Sequence, residues 1–141
     1  MSARTFEDAF NLLCLDKIGS GVSRDVYTCR LRDDLVVKVE TSNDWRSFSN
    51  AFEMRFWNDH QYAKDIAKWL APCRYMSPDG RLMLQQRVRV ATADDTLPEK
   101  LPSFLTDIKR ENFGWFEGRL VCFDYAATIP NPNMRLRKAN W

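Results

Sequence analysis

The stretch DIKREN, residues 107 to 112, sets a carboxylate, an ammonium and an amide in a fixed order: Asp107, Lys109 and Asn112. A loop chosen only for solubility has no use for that spacing. A loop that handles a hydroxyl, a phosphate and a metal ion does, because each needs a different polar group within one short reach. Asp124 follows in DYA, at the end of a strand-like run. Two carboxylates and an amide oxygen are the hard oxygen donors that Mg²⁺ prefers. Read alone, DYA is an ordinary turn at the end of a strand.

Three further sites could act with these. In GSGVSRDV (19–26), Gly19 and Gly21 allow the backbone close to a phosphate, although two such glycines also make an ordinary β-turn. Arg24 stands where a dinucleotide fingerprint would have its third glycine, and no Gly-Lys-Ser/Thr ending is present. Lys38 lies in LVVKVE, pointing opposite to Val37 and Val39. It either faces solvent by simple alternation or reaches across the glycine turn to phosphate oxygens. Glu53 lies at the edge of a helical apolar stripe, where an ion pair to an inward lysine is within reach.

The elements that must hold these residues read as α+β. A short amphipathic helix is predicted over 6–15, then a strand, a glycine turn and a second strand over 17–31, and a Val-rich strand over 35–40. TSND (41–44) suits a helix start. Phe48, Phe52, Phe56, Ala63, Ile66, Ala67 and Leu70 then recur at threes and fours, with a break near His60 and an end at Pro72. Residues 73–90 form a hairpin turning at SPDG, and 112–126 a second one turning near Glu117-Gly118. Residues 91–104, with two prolines, read as a linker, so the chain divides into halves 1–90 and 91–141. The tail after Ala127 looks irregular, and RLRK (135–138) reads as a solvated terminus.

Composition narrows the class. With 45% hydrophobic residues, five Trp and nine Phe, 141 residues can build a true core. A net charge of +2 argues against a nucleic-acid binder, and no apolar run is long enough to span a membrane. The N-terminus carries Glu7 and Asp8 where a secretory segment needs a basic start. Four cysteines without a CxxC pair suggest reduced thiols. The expectation is a cytoplasmic protein.

Taken in order, glycine turn, strand lysine, helix glutamate, D-x-K-x-E-N, hairpin and Asp-aromatic-small resemble the signature of the protein-kinase-like superfamily. The sweep NFGWFEGRLVCFDYA (112–126) resembles short, divergent bacterial and bacteriophage kinase-like proteins more than eukaryotic enzymes. The resemblance runs from about residue 17 to residue 126. It implies a kinase-like fold: an N-lobe antiparallel sheet with one main helix, and a much reduced C-lobe. Gly19, Gly21 and Val26 then match the nucleotide-covering loop. Lys38 matches the lysine on the α- and β-phosphates, with Glu53 as its helix partner. Leu84 to Val88 match the hinge, with Gln86 and Val88 as adenine contacts. Asp107 matches the catalytic aspartate, Lys109 the γ-phosphate lysine, and Asn112 and Asp124 the Mg²⁺ ligands. ATP and Mg²⁺ are the implied nucleotide and metal.

The departures bear on function. Leu105-Thr106 replace the usual His-Arg, Arg24 replaces the third glycine, and Tyr125-Ala126 replace Phe-Gly. The stretch between hinge and Asp107 and the seventeen residues after Asp124 leave no counterpart for the peptide-docking helices. Two functions follow: a minimal ATP-dependent phosphotransferase acting on a protein or small-molecule hydroxyl, or a non-catalytic kinase-like binder, such as a phage-encoded inhibitor of a host factor, working in the host cytoplasm. The apolar residues Phe113, Trp115, Phe116, Phe123, Met134, Leu136 and Trp141 suggest a protein partner or self-association through residues 113–141.

Overall fold

In the computed structural model, which describes residues 2–41, 47–128 and 134–141, helix α1 (Ala3–Leu13) starts on a side-chain cap. Ser2 Oγ accepts the N–H of Thr5 at 3.1 Å, satisfying one of the donors that a helix start leaves open. Phe6, Ala9, Phe10 and Leu13 recur at helical spacing and pack on a core of Cys14, Cys29, Leu35, Val37, Val39 and Leu82. The helix begins earlier and ends sooner than the predicted 6–15, because Cys14 already belongs to a strand.

That core lies on one face of a five-stranded antiparallel sheet. Its strands are β1 (Cys14–Ser20), β2 (Arg24–Cys29), β3 (Leu35–Glu40), β4 (Cys73–Met76) and β5 (Leu82–Gln86), ordered β1-β2-β3-β5-β4. The glycine turn, the Val-rich strand and the SPDG hairpin are all found where the pattern put them. At the last of these Gly80 has φ 76°, a left-handed conformation that glycine adopts without steric cost. Leu35, Val37 and Val39 of β3 face α1, so Val36 and Lys38 face the other way. All five are nonetheless buried.

The helical stretch is two helices, α2 (Ser49–His60) and α3 (Lys64–Ala67), with the break near His60 that the pattern suggested. The helix start expected in TSND (41–44) falls on residues 42–44, which lie outside the described residues. Helix α3 stops before Pro72 is reached, because the next backbone groups pair elsewhere. Cys122 N–H donates to Trp69 O at 2.7 Å, and Ala71 N–H to Cys122 O at 2.9 Å.

The chain forms two compact units: Met1–Met54 with Pro72–Arg87, and Arg55–Ala71 with Val88–Trp141. The second unit thus takes in residues 55–71, which the division at 90/91 put in the first half. It contains a three-stranded sheet, β6 (Arg89–Val90), β8 (Phe113–Phe116) and β9 (Arg119–Cys122), and a pair formed by β7 (Lys100–Pro102) and β10 (Leu136–Lys138). Strand β7 lies inside the stretch read as linker, and β10 inside the tail read as irregular. Each is three residues long and acquires its pattern only by pairing with the other. Residues 135–138 of the RLRK segment are all exposed, as a solvated segment would be, and Arg137 in addition donates to Leu105 O at 3.0 Å.

The aromatic residues of unit 2 largely serve its own packing. Phe113 is fully buried, edge-on to Trp141 at 5.0 Å, and Trp141 Nε1 donates to Pro98 O at 2.7 Å. Arg119 lies over Phe116. Of the large hydrophobic residues expected to form a partner surface, Leu136 and Trp141 are the ones that stand exposed. Among the described residues, no helix is long and apolar enough to cross a membrane.

Gly114 of β8 is a test of this packing. A Cβ there would lie 2.6 Å from Val88 Cγ2 and 2.7 Å from the Arg89 carbonyl oxygen, and the backbone atom cannot turn aside. Gly114→Ala is expected to cost about 1–3 kcal/mol, as overpacking does, read as a lower urea midpoint.

Candidate functional site

In unit 1 the strand pairing aligns the residues that the sequence singles out. Gly19 is opposite Val26, Val26 opposite Lys38, and Lys38 opposite Met83. Residues directly opposite in a sheet share a face, so this row crosses β1, β2, β3 and β5 on the side away from α1. Gly19 leaves an unfilled place at one end and Val26 an apolar step beside it. Lys38 lies at the centre.

Lys38 is 2% exposed and Glu53 is fully buried. Lys38 Nζ donates to Glu53 Oε1 at 2.5 Å, which settles the choice left by strand alternation in favour of an inward lysine. The carboxylate has further donors. Arg24 Nη1 reaches Oε1 at 3.1 Å, Arg24 Nη2 reaches Oε2 at 3.2 Å, and Gln85 Nε2 reaches Oε1 at 3.2 Å. Burial by itself would push the Glu53 carboxyl up. The charges of Arg24 and Lys38, with their hydrogen bonds, overcome this and hold it down at about 2. Asn50, one turn earlier on α2, donates to Lys38 O at 3.0 Å and accepts from Arg24 Nη1 at 3.1 Å.

Sequence reasoning missed Arg24, Asn50 and Gln85 as members of this cluster. Arg24 stood out only as a missing glycine, and no local spacing relates it to Glu53, 29 residues on. The glycine turn itself is tight: Gly21 N–H donates to Arg24 O at 2.8 Å, and Val22 stands fully exposed at its tip. Neither Gly19 nor Gly21 has positive φ. Gln86 ends β5, its N–H donating to Pro72 O and its side-chain amide to Asp34 O. Bonding adenine from that N–H would require it to leave Pro72. Val88, in unit 2, packs beside Gly114.

Unit 2 holds the other set. Asn112 is buried at the end of a 3₁₀ turn, Arg110–Asn112, and folds back on the start of its own loop. Its Nδ2 donates to Asp107 O at 3.0 Å and to Asp107 Oδ2 at 3.1 Å, leaving Oδ1 as the acceptor on its other side. Lys109 Nζ lies 3.7 Å from Asp107 Oδ2, with both side chains more than half exposed. Asp107 and Asp124 line one small recess with Leu105, Thr106 and Tyr125. Behind Asp124, Tyr125 is buried, its hydroxyl donating to Ala71 O at 2.8 Å and its ring 6.0 Å from that of Phe56. Arg110 ties the loop down by donating to Thr92 O and Asp95 O. The oxygens of Asp107, Asn112 and Asp124 fit the donor chemistry of Mg²⁺. Among the described residues, no group of three or more His, Cys, Asp or Glu gathers as a metal cluster.

A separate groove of about 510 Å³ on unit 2, walled by Trp69, Leu97, Pro98, Trp115 and Leu120, contains none of the candidate nucleotide, metal or catalytic residues, but includes Trp115 of the expected partner surface. No protein-family model matches the chain, and no curated protein matches it.

The Glu53 cluster makes stability pH-dependent in a defined direction. Its folded pKa of about 2 lies below the ordinary 4.5. The stabilisation is therefore complete above about pH 4.5 and is lost as pH falls towards 2. Glu53→Gln is expected to flatten the acid-unfolding curve in that window. At neutral pH it should cost about 3–5 kcal/mol, read from urea midpoints, because two buried cations lose their shared carboxylate.

Proposed function

We propose that this chain is a minimal member of the protein-kinase-like superfamily that binds ATP with Mg²⁺ and transfers its γ-phosphoryl group to a hydroxyl. The observation that carries this reading is the Gly19–Val26–Lys38 row, with Lys38 buried against Glu53. A solvent-facing lysine in an alternating strand would need no such partner. A lysine held at a fixed point beside an apolar step and an unfilled glycine position has the properties of a phosphate-binding group next to a base-covering wall. The five-stranded antiparallel sheet, with one principal helix between its third and fourth strands in sequence, is read as the N-lobe.

The remaining roles follow from the side chains. Asp107 would orient the acceptor hydroxyl and take its proton, and Asn112 holds Asp107 through both its carbonyl and its carboxylate. Lys109, more than half exposed beside Asp107, would offset γ-phosphate charge. Asn112 Oδ1 and Asp124 would hold Mg²⁺, which when bound neutralises charge on the phosphates. Phosphoryl transfer asks little covalent chemistry of a protein, so positioning and charge carry the catalysis.

Calorimetric titration with ATP, with and without Mg²⁺, tests the proposal. Binding is expected, and Asp124→Asn should weaken Mg²⁺-ATP at least about tenfold more than ATP alone, since only the former needs the metal ligand. Absence of heat and of any thermal shift at saturating ATP would overturn the reading in favour of a non-catalytic binder. In transfer assays on lysate or small hydroxyl acceptors, Asp107→Asn should lower kcat by about a hundredfold or more with nucleotide affinity unchanged.

Gly19 gives a cleaner test, because the fold does not need it. A Cβ there would meet Val26 at 3.5 Å, an ordinary contact, and the backbone has no positive φ. Gly19→Ala should leave the unfolding midpoint within about 0.5 kcal/mol of wild type while weakening ATP binding. Unchanged affinity would remove Gly19 from the nucleotide site.

A further inference from the structure

We propose that Arg24 is the positioning residue for Lys38: by clamping both oxygens of Glu53 it presents the lysine at a fixed point in the nucleotide-free protein, with no need of a phosphorylated activation segment. This deepens the kinase-like reading and rests on Lys38 being the phosphate-contacting lysine. Lys38 contacts the carboxylate at Oε1. Gln85 Nε2 reaches the same Oε1, and contacts on one oxygen fix the carboxylate's position more firmly than its rotation about its own axis. Arg24 removes that freedom, because its planar fork engages Oε1 through Nη1 and Oε2 through Nη2.

The clamp is itself built into the fold. Arg24 is 7% exposed, and it is the first residue of β2, so its backbone is held opposite Glu40. Its carbonyl closes the glycine turn by accepting from Gly21 N–H. Its Nη1 also donates to Asn50 Oδ1, and the amide of the same Asn50 donates to Lys38 O. Arg24 is therefore joined to Lys38 by two routes, through the Glu53 carboxylate to the ammonium and through Asn50 to the strand backbone. The same residue shapes the turn over the phosphates and fixes the lysine beneath it. The substitution that departs most from the glycine-rich pattern thus gains a role: it replaces loop mobility with a preset geometry.

The test compares wild type, Arg24→Lys and Arg24→Gln without nucleotide, using an amine-reactive N-hydroxysuccinimide ester and peptide mass spectrometry at Lys38. The buried thiols of Cys14 and Cys29, probed with iodoacetamide, report whether the unit 1 core stays closed. With those thiols protected, Arg24→Gln is expected to raise Lys38 labelling about tenfold relative to Lys64, the scale of one lost charge-assisted hydrogen bond. Arg24→Lys should fall between, keeping the charge without the fork. Unchanged Lys38 labelling in Arg24→Gln overturns the proposal whether or not ATP binds. If Arg24→Gln exposes the thiols, Arg24→Lys decides instead, with unchanged labelling again fatal. Where wild type transfers phosphate, the variants should raise KM for ATP and lower kcat in the same order. Lys38 freed without change in either constant would overturn the positioning role. A wild type that binds no ATP would instead overturn the kinase-like reading, with the labelling still deciding what Arg24 does.

Discussion

A carboxylate cannot be taken out of water uncompensated, and Glu53 is fully buried. Unit 1 is organised around meeting that demand. Two cations and an amide converge on one group, and each comes from a different element: Arg24 from β2, Lys38 from β3, Gln85 from β5, with Glu53 on α2. The arrangement fixes the sheet to the helix more specifically than apolar contact would, since apolar surfaces can slide while a carboxylate with donors on both oxygens cannot. A hydrophobic substitute of the same shape could match its stability. What the ionic cluster adds is a lysine held at one point.

Unit 2 solves a different problem. Its candidate loop is exposed at Asp107 and Lys109, so it must be held from behind. Asn112 does this at short range, bonding the residue five positions earlier. Arg110 does it at longer range through Thr92 and Asp95, and Asp95 is in turn fixed by Arg89, which with the Thr92 N–H holds its carboxyl down at about 2. Next in sequence to Asp124, Tyr125 is buried and packs its ring against Phe56. Phe104 completes that cluster, 5.8 Å from Phe56. A small unit with short strands thus relies on side-chain to backbone bonds where longer sheets would supply rigidity.

The errors of sequence reading share one cause. Residues 91–104 looked like a linker because β7 is three residues long, holds a proline and has no periodicity of its own. Its partner β10 lies more than thirty residues away, so no window contains both. The aromatic residues of 113–141, expected as a partner surface, also take part in packing within unit 2 that composition cannot show. In the fold, Arg119 covers Phe116, and Trp141 closes on Phe113.

What the sequence determined by itself is what depends on near neighbours. Strand β3 is legible from its run of valines, the SPDG turn from its proline and glycine, and the helix break from a lapse in spacing near His60. The order of Asp107, Lys109 and Asn112 is legible in DIKREN, whereas the bonds from Asn112 back to Asp107 appear only in the fold. Tertiary structure alone decided what covers each face. Alternation places Lys38 opposite Val37 and Val39, but only α2 turns that face into an interior. Arg24 read as a lost glycine until Glu53 lay beside it, since its meaning is a pairing of charges that the chain brings together only by folding.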